Sequence, residues 1–520
     1  MFSLLKKFFS KKTLKEKGTA ANQEYSSQLS KSLDKNLKEL KPYIDRNFDI
    51  ILRPVSVTKP NGVKGAVIYI KNMPDQESLQ QDILRPLMNY SNTEDFARNG
   101  LNYLVDLIYK SSLSVGEIKK SLSSPEVLQS MFAGLVIVMV DGYDQALIID
   151  ITKPEHRAID EPTTERTIRG SREGFIEDLS VNISLIRKRL ADPNLVIEKT
   201  KVGRRSRTNV AIIFIEDIAD PNIVQEIRDK ISKIDTDGVI TTSYLEQLME
   251  DNPYSVFPQI RSTERPDKII PELLEGRVVI MVNGTPRAII IPSLFVSFLQ
   301  ATEDYNERFY VGSVDRLFRY LAFFLSISLT PLYIALLSFQ PELIPFDLLV
   351  SLAMSREKVP FPIVVEVLIQ EIIIQLVVEA GLRLPVTIAQ TVGVVAGIVL
   401  GQAAISANLA SPAIIIIIAM TTIATYSLPN YSLVLATRLI RFMMLLATSM
   451  FGLFGFSLGW LLILAHLTSL ESMGVPYLSP LAPTRFRDLK DALIRAPNWT
   501  LNKRPQSIPH QDDRRQGGVS

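Results

Sequence analysis

The chain has 520 residues, with 57 Lys and Arg against 55 Asp and Glu and no cysteine. A net charge of +2 with both signs interspersed offers no concentrated basic face for nucleic acid. The absent thiols exclude disulfides and thiolate metal sites. The three histidines (His156, His466 and His510) fall at no metal-binding spacing, so neither metal nor cofactor is expected.

This length allows about three or four domains. Residues 1–45 read as a basic, polar tail and linker. Phe2, Leu5, Phe8 and Phe9 can share a helical face flanked by Lys6, Lys7, Lys11 and Lys12. That pattern suits an anionic membrane surface or, equally, a solvated tail. MFSLLKKFFSKKTLKEKG has no continuous apolar stretch and does not read as a signal peptide, so the soluble region is expected in the cytosol.

A first α/β subdomain is expected over 46–155. Ile50–Val57 and Lys64–Ile70 are β-rich, with the turn Pro60-Asn61-Gly62 between them. Helical patterns follow at 75–88, 97–110 and 114–130. Leu135–Val140, the turn Asp141-Gly142 and Gln145–Ile151 then read as a hairpin. AGLVIVMVDGYDQALIID (133–150) aligns without a gap on EGRVVIMVNGTPRAIIIP (275–292). Each places an Asx-Gly pair between two apolar strands, so each hairpin is expected to close its own structural unit.

The second subdomain is expected over 156–314. Ser171 can cap a helix carrying Phe175, Leu179, Ile183, Ile186 and Leu190, with Arg187, Lys188 and Arg189 near its C-terminus. Thr208–Ile215 reads as a buried strand, and Asp220-Pro221 as the start of a helix with Ile223, Ile227, Ile231 and Ile234 on one face. Val239–Thr241 is expected as a short strand and 242–250 as a helix. Alternating strands and helices imply a parallel or mixed sheet. Glu165-Arg166, Arg169-Gly170, Arg172-Glu173 and Glu177 form a charged patch, read as helix-end ion pairs. No P-loop, GxGxxG, GxSxG or HExxH is present, and an enzyme is not expected.

Over 315–470 the composition changes. Leu384–Thr437 and Phe442–Leu470 contain no Asp, Glu, Lys or Arg. A bilayer crossing needs about 20 apolar residues, so a helical membrane domain is expected. Spans fit 321–339, 386–405, 411–428 and 440–466, with Pro341–Pro362 a charged, proline-punctuated loop. Arg316 and Arg319 before the spans, and a basic tail over 471–520, favour the cytosolic side for both ends. Four crossings satisfy that rule if 361–380 dips or lies flat; five would put the tail outside. The 361–380 segment carries Glu366, Gln370, Glu371, Gln375 and Glu379. Membrane carboxylates are costly and mark function. Either this helix lies at the interface with its carboxylates solvated, or a ring of such helices lines a cation pore.

EPTTERTIRGSREGFIEDLSVNISLIRKRL (161–190), TERPDKIIPELLEGRVVIMVNGTPRAIIIP (263–292), EDYNERF (303–309), VPFPIVVEVLIQEIIIQLVVEAGLRLP (359–385), PYLSPLAP (476–483) and DLKDALIRAP (488–497) together resemble the A subunit of GerA-type spore germinant receptors. The resemblance implies a multi-pass protein of the spore inner membrane, partnered by a transporter-like B subunit and a lipoprotein C subunit. It also implies that nutrient binding, attributed mainly to the B subunit, triggers germination. It implies a homo-oligomer forming a nutrient-gated cation channel, with a non-conducting scaffold as the alternative. Arg169, Glu173, Glu177, Asn182 and Arg187 are then candidates for subunit coupling.

Overall fold

In the computed structural model, residues 28–57, 63–89, 118–151 and 169–516 are described, together with 162 and 165. The expected amphipathic tail, the 58–62 turn, the 97–110 helix and Arg166 lie outside the described residues. The chain divides into two units, Met1–Ile44 with Ile50–Lys153, and Asp45–Asp49 with Pro154–Ser520.

The first unit contains α1 (Leu33–Asp45), β1 (Ile50–Val57), β2 (Val63–Ile70), a helical run from Gln76 to Asn89 with a π-helical middle, β3 (Ile118–Ser121), α2 (Ser124–Phe132), β4 (Val136–Val140) and β5 (Ala146–Ile149). The strands form one sheet, β1-β2-β4-β5-β3, with every pair antiparallel. Alternate side chains fill two cores. Val67, Val138 and Leu147 pack with Ile83 and Leu87 of the helical run on one face. Ile68, Ile137 and Ile148 pack with Leu40 of α1 and Met131 of α2 on the other.

The second unit repeats this plan with α3 (Leu179–Arg189), β6 (Leu195–Val202), β7 (Thr208–Ile215), α4 (Pro221–Lys233), α5 (Thr242–Met249), β8 (Arg261–Thr263), α6 (Pro266–Leu274), β9 (Val278–Val282) and β10 (Ala288–Ile291). The order β6-β7-β9-β10-β8 matches that of the first sheet and is again antiparallel throughout. The echo seen between two hairpins therefore extends to the whole unit, including its finer contacts. Asn36 clamps Ser30 through its backbone N–H (2.8 Å) and carbonyl (2.7 Å). Asn182 clamps Ile176 in the same way (2.8 and 2.6 Å). The Asx side chains of the two hairpin turns, Asp141 and Asn283, accept from the N-terminal amides of Leu33 and Leu179.

The expectation of mixed sheets is therefore corrected. Both faces of each sheet carry helices, so the central strands read as unbroken apolar runs; that pattern is typical of parallel sheets but records burial, not direction. Three local readings also change. The 114–130 pattern resolves into β3 followed by α2, which starts at a proline. Asp178 rather than Ser171 caps α3, accepting from Ser180 and Val181, because residues 171–177 are held outside the helix, with Phe175 N–H bonded to Glu264. Val239 forms no strand; its backbone pairs with the hydroxyls of Thr208 and Ser206 instead of a ladder.

Beyond β10 a 3-10 turn (Phe295–Phe298) leads to α7 (Phe309–Ser338), α8 (Phe346–Arg356), α9 (Ile363–Arg383), α10 (Val386–Val395, continuing through a π-helical turn to Ser406), α11 (Pro412–Tyr426) and α12 (Tyr431–Ser469). The expected 341–362 loop thus contains a helix, α8. Among the described residues three helices are long and apolar enough to cross a membrane: Phe309–Ser338, Ile388–Ser406 and Tyr431–Ser469. That is fewer than the four or five expected. α11 has only 15 residues, and α9 carries too many charges.

α12 is not straight. Gly452 has φ 59° and ψ −138°, which is accessible to glycine at little cost. A Cβ on Gly459 would sit 2.3 Å from Met444 Sδ, and one on Gly455 2.1 Å from the Ala447 carbonyl oxygen. On a straight helix Met444 and Gly459 would be roughly 20 Å apart, so the chain reverses at Gly452 into two antiparallel arms.

Contacts with α7 set the direction of each helix. Thr330 meets Thr421 at 2.9 Å, and Arg441 bridges Ser326 and Thr425, so α11 runs against α7. Ile363 packs by Tyr333 and Ile334, whereas Glu371, further along α9, reaches Arg441; α9 also runs against α7. The first arm of α12 runs with α7, as Leu433 packs with Phe323 and Leu445 with Ile334. The second arm returns, with Gly452 against Phe339, Trp460 donating to Ser328 (2.9 Å), and Leu467 back beside Phe323.

After α12 the chain rejoins the second sheet. Met473, Val475 and Ile508 are buried in the core between that sheet and α4. Gln511 donates to the backbone of Glu216 and Ala219, and Arg504 to that of Leu274.

Candidate functional site

The polar helix α9 begins after Pro362 and carries the five polar residues singled out from sequence. Glu366 is fully buried. One of its carboxylate oxygens accepts the Ser411 amide at 2.6 Å, and the other pairs with Arg356 of α8 at 3.2 Å. Glu371 is also buried and pairs with Arg441 of α12 at 3.1 Å. Gln370 is buried between them in sequence, and Gln375 is half-buried. Glu379 is exposed and pairs with Arg383 one turn on, at 2.8 Å.

Glu366 and Glu371 sit more than a third of a helical turn apart, yet both are enclosed, because α9 is flanked by α8 and α11 on one side and by α12 on the other. Their charges are compensated by arginines, the half-buried Arg356 and the buried Arg441, as low-dielectric surroundings require. α8, read as part of a loop, supplies Arg356. Arg441 was readable only as an interruption of the apolar run. α10 contrasts with α9, since none of its described side chains between Ile388 and Ser406 is buried.

The coupling candidates do not form one cluster. Arg187 is completely buried, and its guanidinium holds Asp49 (3.0 Å), Asn47 (2.7 Å) and the Leu195 carbonyl (3.0 Å). It pins residues 47–49 against α3 and β6. Asn182 is buried in the clamp on Ile176. Glu173 pairs with Arg189. Glu177 has an exposed side chain, and its carbonyl accepts from Gly284 at 2.9 Å. Arg169 alone reaches toward the membrane helices, pairing with Glu307 at 3.2 Å.

A second polar centre lies where α7 leaves the α/β unit. Asp304 is buried and pairs with Arg316 (3.2 Å) and Arg319 (2.7 Å). Asp491 of the tail pairs with Arg316 at 3.3 Å and accepts the Tyr305 hydroxyl at 2.8 Å. Burial pushes the Asp491 carboxyl above its ordinary range, with Arg316 opposing it. Ser313 bridges the Arg495 backbone. Gly312 admits this packing, since a Cβ there would lie 2.7 Å from the Asp304 carbonyl oxygen. Sequence reasoning took Arg316 and Arg319 only as markers of membrane orientation and assigned no role to Asp304 or Asp491. The available signal was the two charged stretches EDYNERF and DLKDALIRAP, whose partnership is long-range. Among the described residues no group of three His, Cys, Asp or Glu could hold a metal.

Comparison with known proteins gives the family. A model of the Bacillus/Clostridium GerA spore germination protein family matches residues 38–507. The chain is 39% identical over 489 residues to spore germination protein KA of Bacillus subtilis, covering 94% of this chain and 89% of that protein. It is 36% identical over 485 residues to spore germination protein GerLA of Bacillus cereus, covering 93% and 97%. A crystal structure of the N-terminal domain of the A subunit of the Bacillus megaterium spore germinant receptor GerK3 aligns at 30% identity, covering 52% of this chain and 99% of that one, with a TM-score of 0.41. On the family model and the two full-length relatives, the chain belongs to the GerA family of spore germination proteins.

Proposed function

We propose that the chain is the membrane-embedded A subunit of a nutrient germinant receptor of the spore inner membrane. It acts without catalysis, beside transporter-like B and lipoprotein C subunits, and oligomerises into a nutrient-gated cation channel. One observation carries the oligomer: α10 is apolar, and none of its described side chains between Ile388 and Ser406 is buried within a single chain. A ring of chains would bury part of α10 and bring together the adjacent, less buried half of α9 with Gln375 and Glu379. Those two residues, rather than the buried, paired Glu366 and Glu371, are the exposed or half-buried polar groups of α9 that could meet an ion, Glu379 by leaving its surface pair with Arg383.

The neck supports placing both ends of the membrane domain on one side. Asp491 and Arg495 of the tail meet Arg316 and Ser313 at the start of α7, so an even number of passes is required. The first membrane helix, α7, and the last segment, the second arm of α12, run in opposite directions, as an even number requires. With Arg316, Arg319 and the basic tail at this end, the cytoplasmic (core) side is favoured.

Planar-bilayer conductance of the purified oligomer with its partner subunits and nutrients is the test. Nutrient-dependent cation current, with selectivity altered by Glu379→Lys, is expected. A silent bilayer with intact oligomer overturns the channel. One observation favours a non-conducting scaffold instead: both buried carboxylates of α9 are engaged inside the chain. That reading predicts nutrient-dependent assembly without current.

A further inference from the structure

A cavity of about 350 Å³ lies between the base of the second sheet and the tail that folds back onto it. Arg277, Gln300 and Tyr305 line it from the sheet side, and Lys490, Lys503 and Arg515 from the tail. This volume lies at the low end for small-molecule sites, about 300–1,000 Å³. It suits a small metabolite and no macromolecule.

The charges around it do not balance. Arg261 and Arg277 are both buried, at 9% and 5% exposure, and both pair with the same carboxylate, Glu272. One carboxylate neutralises one guanidinium, so this triad by itself carries a surplus buried cation, with Glu275 and Glu165 acting on it only from outside the triad. Arg277 Nε has no hydrogen-bond partner. Burial pulls the Arg277 guanidinium below its ordinary range, and Arg261 falls to about 9 through burial and the neighbouring Arg277. Two of the nearby acids have cationic partners: Glu275 pairs with Arg515 at 3.5 Å, and Asp491 is held by Tyr305 and Arg316. Asp488 is bonded instead to the Ser507 N–H and hydroxyl and belongs to the tail side of the cavity. A buried surplus guanidinium is unfavourable unless an anion meets it, and its planar fork matches a carboxylate or phosphate.

We propose that this cavity binds a small anion bearing a carboxylate or phosphate group, with Arg277 as its principal contact. Tyr305 and Asp491 form the wall between the anion and Arg316. Occupancy therefore ties the tail to the root of α7, giving the membrane helices a soluble effector site separate from any pore.

The test uses the full chain in lipid-free detergent, titrated calorimetrically with inorganic phosphate and with acetate. Saturable one-site binding of at least one probe, with a rise in melting temperature, is expected. Arg277→Met should weaken it at least tenfold. That variant leaves Arg261 and Glu272 as a one-to-one pair, so the ligand-free protein should melt no lower than the parent; an arginine with a purely structural role would lower it. Leu501→Trp, which fills the cavity without changing charge, should also abolish binding. Repeating the titration in phosphatidylglycerol and phosphatidylcholine nanodiscs separates two sources of the anion. Loss of phosphate binding only with the anionic lipid assigns the site to a headgroup, and unchanged binding assigns it to a free anion. Absence of saturable binding in every medium, or binding untouched by both substitutions, overturns the proposal. The readout is binding alone, so a silent conductance experiment leaves it standing.

Discussion

Replacing Glu371 by glutamine, Arg441 by methionine, and both together, forms a thermodynamic cycle that separates a structural ion pair from a pore charge. The two groups are 3.1 Å apart and both buried. Removing either partner leaves the other charge uncompensated in a low-dielectric site, which costs about 3–5 kcal/mol. Removing both eliminates the two desolvation penalties together, and such replacements are often neutral or stabilising by about 1–4 kcal/mol. The double variant should therefore be more stable than either single one, with a coupling energy of about 3 kcal/mol or more. Stability would be read from denaturation of the bicelle-embedded chain by sodium dodecyl sulfate, and germination of spores carrying each variant would be scored in parallel. Additive effects, or single variants each costing under about 1 kcal/mol, would refute the pairing. Normal stability combined with altered ion flux in Glu371→Gln alone would place this carboxylate in the conduction path.

The reversal in α12 rests on a residue that accepts positive φ. Gly452→Ala should cost about 1–3 kcal/mol in backbone strain, plus a clash with Phe339, whose ring carbon would lie 2.7 Å from the new methyl. Adding Phe339→Ala should recover the steric part only, as measured by melting of the detergent-solubilised chain. Asn36→Ala and Asn182→Ala should be comparably destabilising, each by about 1–3 kcal/mol, because each leaves a backbone N–H and a carbonyl unpaired; a neutral result at either position would break the equivalence of the two units. Acid should release the tail. Burial raises the Asp513 carboxyl, but hydrogen bonds from Arg487 and Lys503 outweigh it and hold the group down to about 2, from 3.8. A depressed carboxylate stabilises above its unfolded value and loses that contribution as pH falls from about 4 toward 2. Limited proteolysis by pepsin should cut the tail progressively across that window. Asp513→Asn should reduce the pH dependence, leaving the part due to Asp512, which, against the opposing effect of burial, the Arg514 backbone and Arg504 also hold below its ordinary range.

The paired hairpins and most strands were legible because each is local. Thr208–Ile215 and Asp220-Pro221 emerged as read, since a continuous apolar run and an Asp-Pro start need no distant partner. Strand direction was not legible: β7 and β9 are apolar on both faces, whichever way their neighbours run. β6 escaped notice because its outer half alternates Glu198, Lys199, Thr200 and Lys201, and its pairing with β7 is what makes it a strand. The carboxylates of α9 could be recognised as costly, but not as satisfied. Their partners are Arg356 on α8, Ser411 capping α11, and Arg441 on α12.

By itself the sequence determined where charge ends and the apolar domain begins, which hairpins echo each other, and which helix keeps carboxylates in an apolar setting. Periodicity, turn chemistry and composition are properties of neighbouring residues and survive without a fold. Tertiary structure alone decided that both sheets are antiparallel, that α12 doubles back at Gly452, that the tail fills the second core, and that Glu366 and Glu371 are neutralised. Each of these depends on free energies shared between residues far apart in the chain, where desolvation and packing, not local propensity, select the partner.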